Sequence, residues 1–339
     1  MPEDKVAQAL RPLPWQQVLW ADMQARKSLL RLPHALLMCG IEGVGKRHFA
    51  DIFTQALLCT RPGPEGQACQ VCDACHWFQA GTHPDYRLLA PAEEGRAILI
   101  DQIRELNAYF ALKSHHGGYK IAVIEPADSM NGAAANALLK TLEEPAPYTL
   151  LLLITQRPSR LPATVRSRCQ RLTITPPPAQ QALPWLRERL DTAADAALLL
   201  TLAGGAPLRA LDLAQGDICG QRITLLEDLE SMQQGQSDPV ICAAAWMERG
   251  AASSLEWLYG YIIDMIRLQS VPQPPRLRNP DMRDRLQRIA ARIGQFTLYQ
   301  HLDCAVEGLR LLSTQVNSQV LLEEILVGWA PMTTKPAVA

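Results

Sequence analysis

The chain has 339 residues, 48% of them hydrophobic and 20% charged, with a net charge of −1. That length exceeds one ordinary compact domain and suggests two or three. The near-neutral balance excludes a protein that grips nucleic acid alone through a strongly basic face, and no stretch approaches the ~20 apolar residues that a membrane helix needs. The start, MPEDKVAQALRPLPW, has early acids and no apolar export segment, so a cytoplasmic location without a membrane partner is expected. In a reducing compartment the nine cysteines should not form a disulfide framework. Clustered ones then suggest metal, and scattered ones small core residues.

In chain order, ALLMC (35–39) reads as a buried strand. The following KRHFADIFTQALLC puts Phe49, Ile52, Phe53, Ala56 and Leu57 on one helical face. Residues 59–78 are a Cys-rich insertion, 86–90 a further strand, and 98–112 an amphipathic helix around Ile103, Leu106 and Phe110. YKIAVIE (119–125) and TLLLLIT (149–155) read as buried strands. Between them NGAAANALLKTLEE reads as a helix stopped by Pro145 and Pro147. Strands alternating with helices predict right-handed βαβ units and a parallel sheet. After Arg171 the pattern changes: TPPPAQ reads as a linker or sharp turn, 179–213 as short helices, and 218–329 as helices alone, interrupted at VPQPPRLRNP (271–280). The tail MTTKPAVA is expected to be disordered.

Between the first strand and its helix, GIEGVGK (40–46) fits the phosphate-binding pattern G-x-x-x-x-G-K, with Gly40, Gly43, Gly45 and Lys46 in place. Backbone N–H groups and a helix N-terminus there cradle phosphates, and Lys46 adds a point charge. The next position should be Ser or Thr, whose hydroxyl holds Mg²⁺, but it is Arg47, a large cation that cannot coordinate a metal. Hydrolases of this class end a second strand with a metal-contacting acid, often followed by a Glu that activates water. Here that run is Glu125-Pro126-Ala127-Asp128. Glu125 can partly replace the first acid, whereas Pro126 cannot act as a base. Two parts of the hydrolytic machinery are therefore missing, and little turnover is expected.

Cys59, Cys69, Cys72 and Cys75 are spaced C-x9-C-x2-C-x2-C, which suits a closed tetrahedral structural zinc site. CDACH (72–76) also matches the haem-attachment pattern C-x-x-C-H, but that leaves Cys59 and Cys69 unexplained. His76 reads as a surface neighbour. Cys39, Cys219, Cys242 and Cys304 are dispersed and read as core packing, and His115 and His116 as exposed without a role.

A final motif is S-R-C, at Ser167, Arg168 and Cys169. Together with RPLPW, the modified phosphate loop, the four-Cys module, AGTHPDY, ANALLKTLEEP and NSQVLLEEILVGW, it makes the chain resemble the clamp-loader subunits of bacterial DNA polymerase III, which are AAA+ proteins. The likeness covers nearly the whole chain and is greatest to the non-hydrolysing member. It implies an α/β RecA-like AAA+ domain over 1–170 with the zinc module (59–78) inserted. A small helical lid over 171–212 and an all-α collar that holds an oligomer together over 213–330 would follow, then the tail 331–339.

The resemblance also implies roles. Arg168 would act in trans as an arginine finger in a neighbour's ATP site. Thr155 matches the position that senses the γ-phosphate. Arg209 stands one place beyond the usual second sensing arginine, with Leu208 where it is expected. The subunit would be a stator of the loader within the DNA-directed DNA polymerase (nucleotidyltransferase) holoenzyme, with structural Zn and weak or absent nucleotide binding. Its partners would be the tau/gamma ATPase subunits and the delta subunit, with the sliding clamp reached indirectly and primed DNA through the assembled complex. An active motor ATPase and a zinc-dependent DNA-binding module are the competing readings. Arg47 and Pro126 argue against the first, and the near-neutral charge against the second.

Overall fold

Continuous apolar runs mark strands covered on both faces, and three of them form the centre of a sheet: β1 (Ala35–Cys39), β3 (Lys120–Ile124) and β4 (Thr149–Thr155), every residue buried. With β2 (Tyr86–Leu89) and β5 (Gln170–Thr173) they make a five-stranded sheet in the order β2-β3-β4-β1-β5, all neighbours parallel. The computed structural model describes residues 11–329 other than 94, 116, 192, 193, 313 and 315. The expected disorder of 331–339 and the exposure of His116 fall outside these residues. Strand β5 departs from the sequence reading, which ended the sheet pattern before it. QRLT lies at the sheet edge with no buried residue, so it carries no apolar run to detect.

The period of two along a strand divides the core. Ala35, Leu37 and Cys39 face one side, joined by Ala122, Leu151 and Leu153. Against them pack Ile103, Leu106 and Phe110 of α4 (Ile100–Ala111; α1 to α3 lie before it) and Leu138 and Leu142 of α5 (Gly132–Glu143). Leu36 and Met38 face the other side, against Trp20 and Met23 of α1 (Gln17–Ser28) and Phe49, Ile52 and Phe53 of α2 (Lys46–Leu58). Helix α5 starts where the Asn131 side chain accepts a hydrogen bond from Ala134 N at 2.8 Å. Helix α3 (Asp73–Gln79) belongs to the Cys-rich insertion, and the four-residue α6 (Ala163–Arg166) precedes the S-R-C motif.

The described residues fall into two compact units. The first runs to Arg189 and takes in Gly205–Arg209; the second contains Leu190–Gly204 and the chain from Ala210 onward. The first includes α7 (Ala179–Arg187), whose Trp185 meets Trp15 edge-on with ring centroids 5.2 Å apart. Helices α8 (Ala196–Leu202) and α9 (Pro207–Gln215) follow in sequence.

In the second unit, α10 (Ile218–Gln233), α11 (Pro239–Ser270), α12 (Arg283–Ala290), α13 (Gln295–Leu311) and α14 (Ser318–Trp329) enclose a core of Leu229, Trp246, Leu258, Tyr261, Met265 and Leu322. The break at 271–280 is fastened by buried polar groups. Asp264 accepts from Asn279 N at 2.7 Å and from Arg278 N at 2.9 Å, and the buried Arg222 donates to Asn279 and Asp281. Both buried charges are thus hydrogen-bonded, as burial demands, with the Nε of Arg222 alone in this group buried without a partner. Helix α11 is interrupted at Gly250, with φ 106° and ψ 109°, a conformation open to glycine and strained for other residues. Gly250→Ala is expected to destabilise the chain by about 1–3 kcal/mol in urea denaturation; an unchanged midpoint would refute the strain argument.

Cys39 and Cys242 are buried as expected, but Cys219 and Cys304 are exposed. The helical pattern placed them on α10 and α13 without fixing which face they occupy. Among the described residues no single helix is long and apolar enough to cross a membrane.

Candidate functional site

The parallel register brings three strand ends to one edge of the sheet. Cys39 pairs with Thr155, and Ile124 with Leu153, so the loop after β1, Glu125 after β3 and Thr155 at the end of β4 lie along the carboxyl edge. That edge is where open α/β sheets bind ligands. Gly43 (φ 75°) and Gly45 (φ 91°) take the left-handed backbone that turns the chain into α2. A Cβ on Gly43 would collide with the backbone of Arg209, and one on Gly45 would sit 2.6 Å from Gln16 Nε2.

The loop's outward carbonyls are already engaged. Trp15 Nε1 donates to Val44 O at 3.0 Å, Gln16 Nε2 to Gly45 O at 2.8 Å, and Leu208 N to Gly43 O at 3.0 Å. Lys46 turns back onto its own loop, donating to Gly40 O at 2.8 Å and Ile41 O at 2.7 Å. Burial lowers its pKa, partly opposed by Glu125, Glu42 and Asp128.

Arg47 is the charged centre of the edge. Its Nε donates to both oxygens of Asp51, at 2.8 and 2.9 Å, and one terminal nitrogen donates to Glu125 Oε2 at 3.0 Å. Burial acts to lower its pKa, but Asp51 and the hydrogen bond to Glu125 outweigh it and raise the pKa, keeping the guanidinium charged. The acid read from sequence as a partial metal ligand is therefore neutralised by an arginine. Thr155 is also occupied: its hydroxyl donates to Asp128 Oδ1 at 2.6 Å and accepts from Arg157 N at 3.0 Å.

Arg168 lies elsewhere in the same unit, just after α6. Its terminal nitrogens bind Glu143 Oε1 at 2.6 Å and Thr164 O at 2.9 Å, and its side chain is 36% exposed. Neither partner belongs to the phosphate loop. Ser167 Oγ donates to Thr164 O at 3.1 Å, and Cys169 is buried, its thiol pushed up to about 12. Of the three side chains, the arginine alone bears a charge.

The four module cysteines come together, all their sulfurs within 4.8 Å of one another. Cys59 and Cys72 sulfurs are 3.9 Å apart, against about 3.8 Å for the edge of a tetrahedron with Zn–S bonds of 2.3 Å. Burial opposes ionisation of Cys72, yet hydrogen bonds from Thr60 and Cys75 pull it down to about 5, while burial and the neighbouring thiol push Cys75 up. Four thiols this close cannot all ionise without a cation, so the donor set suits a thiophilic dication. His76 is exposed and outside the group.

Sequence reasoning missed Asp51, Glu143 and the Trp15–Gln16 clamp. Asp51 had a signal, since it stands four residues after Arg47 on a helix.

The comparisons with known proteins decide the family. Residues 15–178 match the family described as "DNA polymerase III, delta subunit", and residues 217–330 match "DNA polymerase III, delta subunit, C terminal". The chain is 36% identical to the DNA polymerase III subunit delta' of Pseudomonas aeruginosa, over 94% of this chain and 97% of that protein. The chain belongs to the DNA polymerase III delta-prime family. Identity to the delta-prime subunit of Escherichia coli K12 is 33%, over 94% of this chain and 95% of that one. The tau/gamma subunit of Haemophilus influenzae is 32% identical over 46% of this chain and 23% of its own length. This delta-prime family chain thus combines a five-stranded parallel sheet with a helical C-terminal region and carries a cysteine cluster suited to a metal.

Proposed function

We propose that this delta-prime family chain works as a non-hydrolysing stator of the DNA polymerase III clamp loader and donates Arg168 in trans to the ATP site of an adjacent subunit. The observation that carries the first half is Arg47, whose guanidinium bridges Asp51 and Glu125 where a hydrolase needs a metal and its ligands. With Pro126 in the place of a catalytic base, neither the metal nor an activated water has its usual support. Nucleotide binding is accordingly weak or absent. The second half rests on the family motif and on a charged side chain placed away from the chain's own loop.

In this reading the partners are the tau/gamma ATPase subunits and the delta subunit. The sliding clamp is reached indirectly, and primed DNA through the assembled complex. The three-part organisation expected from sequence, with boundaries near 170 and 212, belongs to the same reading, as does a cytoplasmic location. Cys59, Cys69, Cys72 and Cys75 hold zinc, which supplies a cross-link and no catalysis.

The deciding measurement is ATP turnover by the purified chain, alone and with its partner subunits. We expect none from the chain alone. Robust turnover by the contaminant-free chain would make it a motor ATPase and sink the stator reading.

A further inference from the structure

Helix α5 ends on Glu143, after Lys140 in the same last turn, and a second acid, Glu144, follows as its C-cap. The last turn of a helix carries partial negative charge and favours cations, so carboxylates there oppose the helix that holds them. A local conflict of this kind marks a position kept for something else. Here the opposing charge is Arg168, held at 2.6 Å by Glu143. A second hydrogen bond, to the carbonyl of Thr164 at 2.9 Å, fixes the plane of the guanidinium.

We infer that Glu143 is a positioning residue that parks Arg168 on its own subunit and must release it when the arginine engages the neighbour's nucleotide. The inference rests on the reading of Arg168 as a finger. Its physics is a competition between two anions. Glu143 offers one carboxylate, is half exposed, and forms a pair that water and salt weaken. A polyphosphate offers several anionic oxygens in the geometry that an arginine fork binds bidentately. The exchange is therefore downhill, but the parked state must be broken first, and that cost appears in nucleotide affinity rather than in the chemical step.

The test uses the full chain with Glu143→Gln, which keeps the shape and removes the charge. In the isolated subunit, modification of Arg168 by phenylglyoxal, located by peptide mass spectrometry, should be faster in the variant. In the assembled complex, KM for ATP should fall about two- to fivefold at low salt, the worth of an exposed pair. The fall should shrink as salt rises, kcat should hold, and no effect should remain in an Arg168→Ala background. Unchanged labelling of Arg168 would overturn the parking contact. Faster labelling with a kcat loss as large as that of Arg168→Ala would also overturn it, because Glu143 would then be a support the active arrangement needs. If Arg168→Ala itself leaves turnover intact, the finger reading fails and takes the competition with it; the labelling result still reports separately whether Glu143 holds the arginine.

Discussion

Arg168→Ala is expected to cut hydrolysis at the adjoining subunit's site by about 10³-fold, the low end of what an arginine finger supplies. Single-turnover hydrolysis in the assembled loader measures this. The substitution should leave the fold alone, because the side chain is partly exposed and its pair with Glu143 is worth about 1 kcal/mol or less. Arg168→Lys should recover little, since a lysine gives a point charge without the planar fork that matches phosphate oxygens. Circular dichroism and subunit association serve as controls. If the alanine complex hydrolyses ATP at the wild-type rate in every site, Arg168 is a surface arginine and the proposed role in trans is wrong.

The second large effect concerns the cysteine module. The chain should carry one equivalent of zinc, lost on Cys72→Ser or Cys75→Ser, as read by native mass spectrometry. Structural zinc binds peptides of this kind with about 10–16 kcal/mol at neutral pH, and that free energy is folding free energy for the loop it closes. The loss should stay local. The four sulfurs form their own small cluster with Ala74, whereas the sheet is covered by α1, α2, α4 and α5, and Phe78 of the module packs against the core beneath α1 and α2. Far-UV ellipticity should therefore survive while residues 59–78 become open to proteolysis. Acid should release the metal as the thiolates are protonated. A chain purified from zinc-containing medium that holds no metal, with the module still protected, would contradict this assignment.

The sheet was legible because its central strands are built on continuous apolar runs, and ALLMC and TLLLLIT admit few other readings. Strand β5 was not, because an edge strand of polar residues has no hydrophobic signature. That an arginine at position 47 cannot ligate a metal was also plain from residue type. What Arg47 does instead was not, since its contact with Glu125 spans 78 residues and depends on the register of β1 and β3 against β4. The Trp15–Gln16 clamp and the Glu143–Arg168 pair were hidden for the same reason: each joins segments that only the tertiary fold brings together. The cysteines needed no such knowledge, because their spacing confines all four thiols to one short insertion.

The bridge from Arg47 to Asp51 and Glu125 has one further consequence, a matter of mass action. A bound divalent ion stabilises its site by an amount that follows the free ion concentration. It can be diluted, chelated or exchanged. A guanidinium on the chain has no dissociation equilibrium with solvent and, with its pKa raised, none with protons at neutral pH. The charge balance at this strand end is set once, when the chain folds, and chelators or changing cellular magnesium leave it as it was.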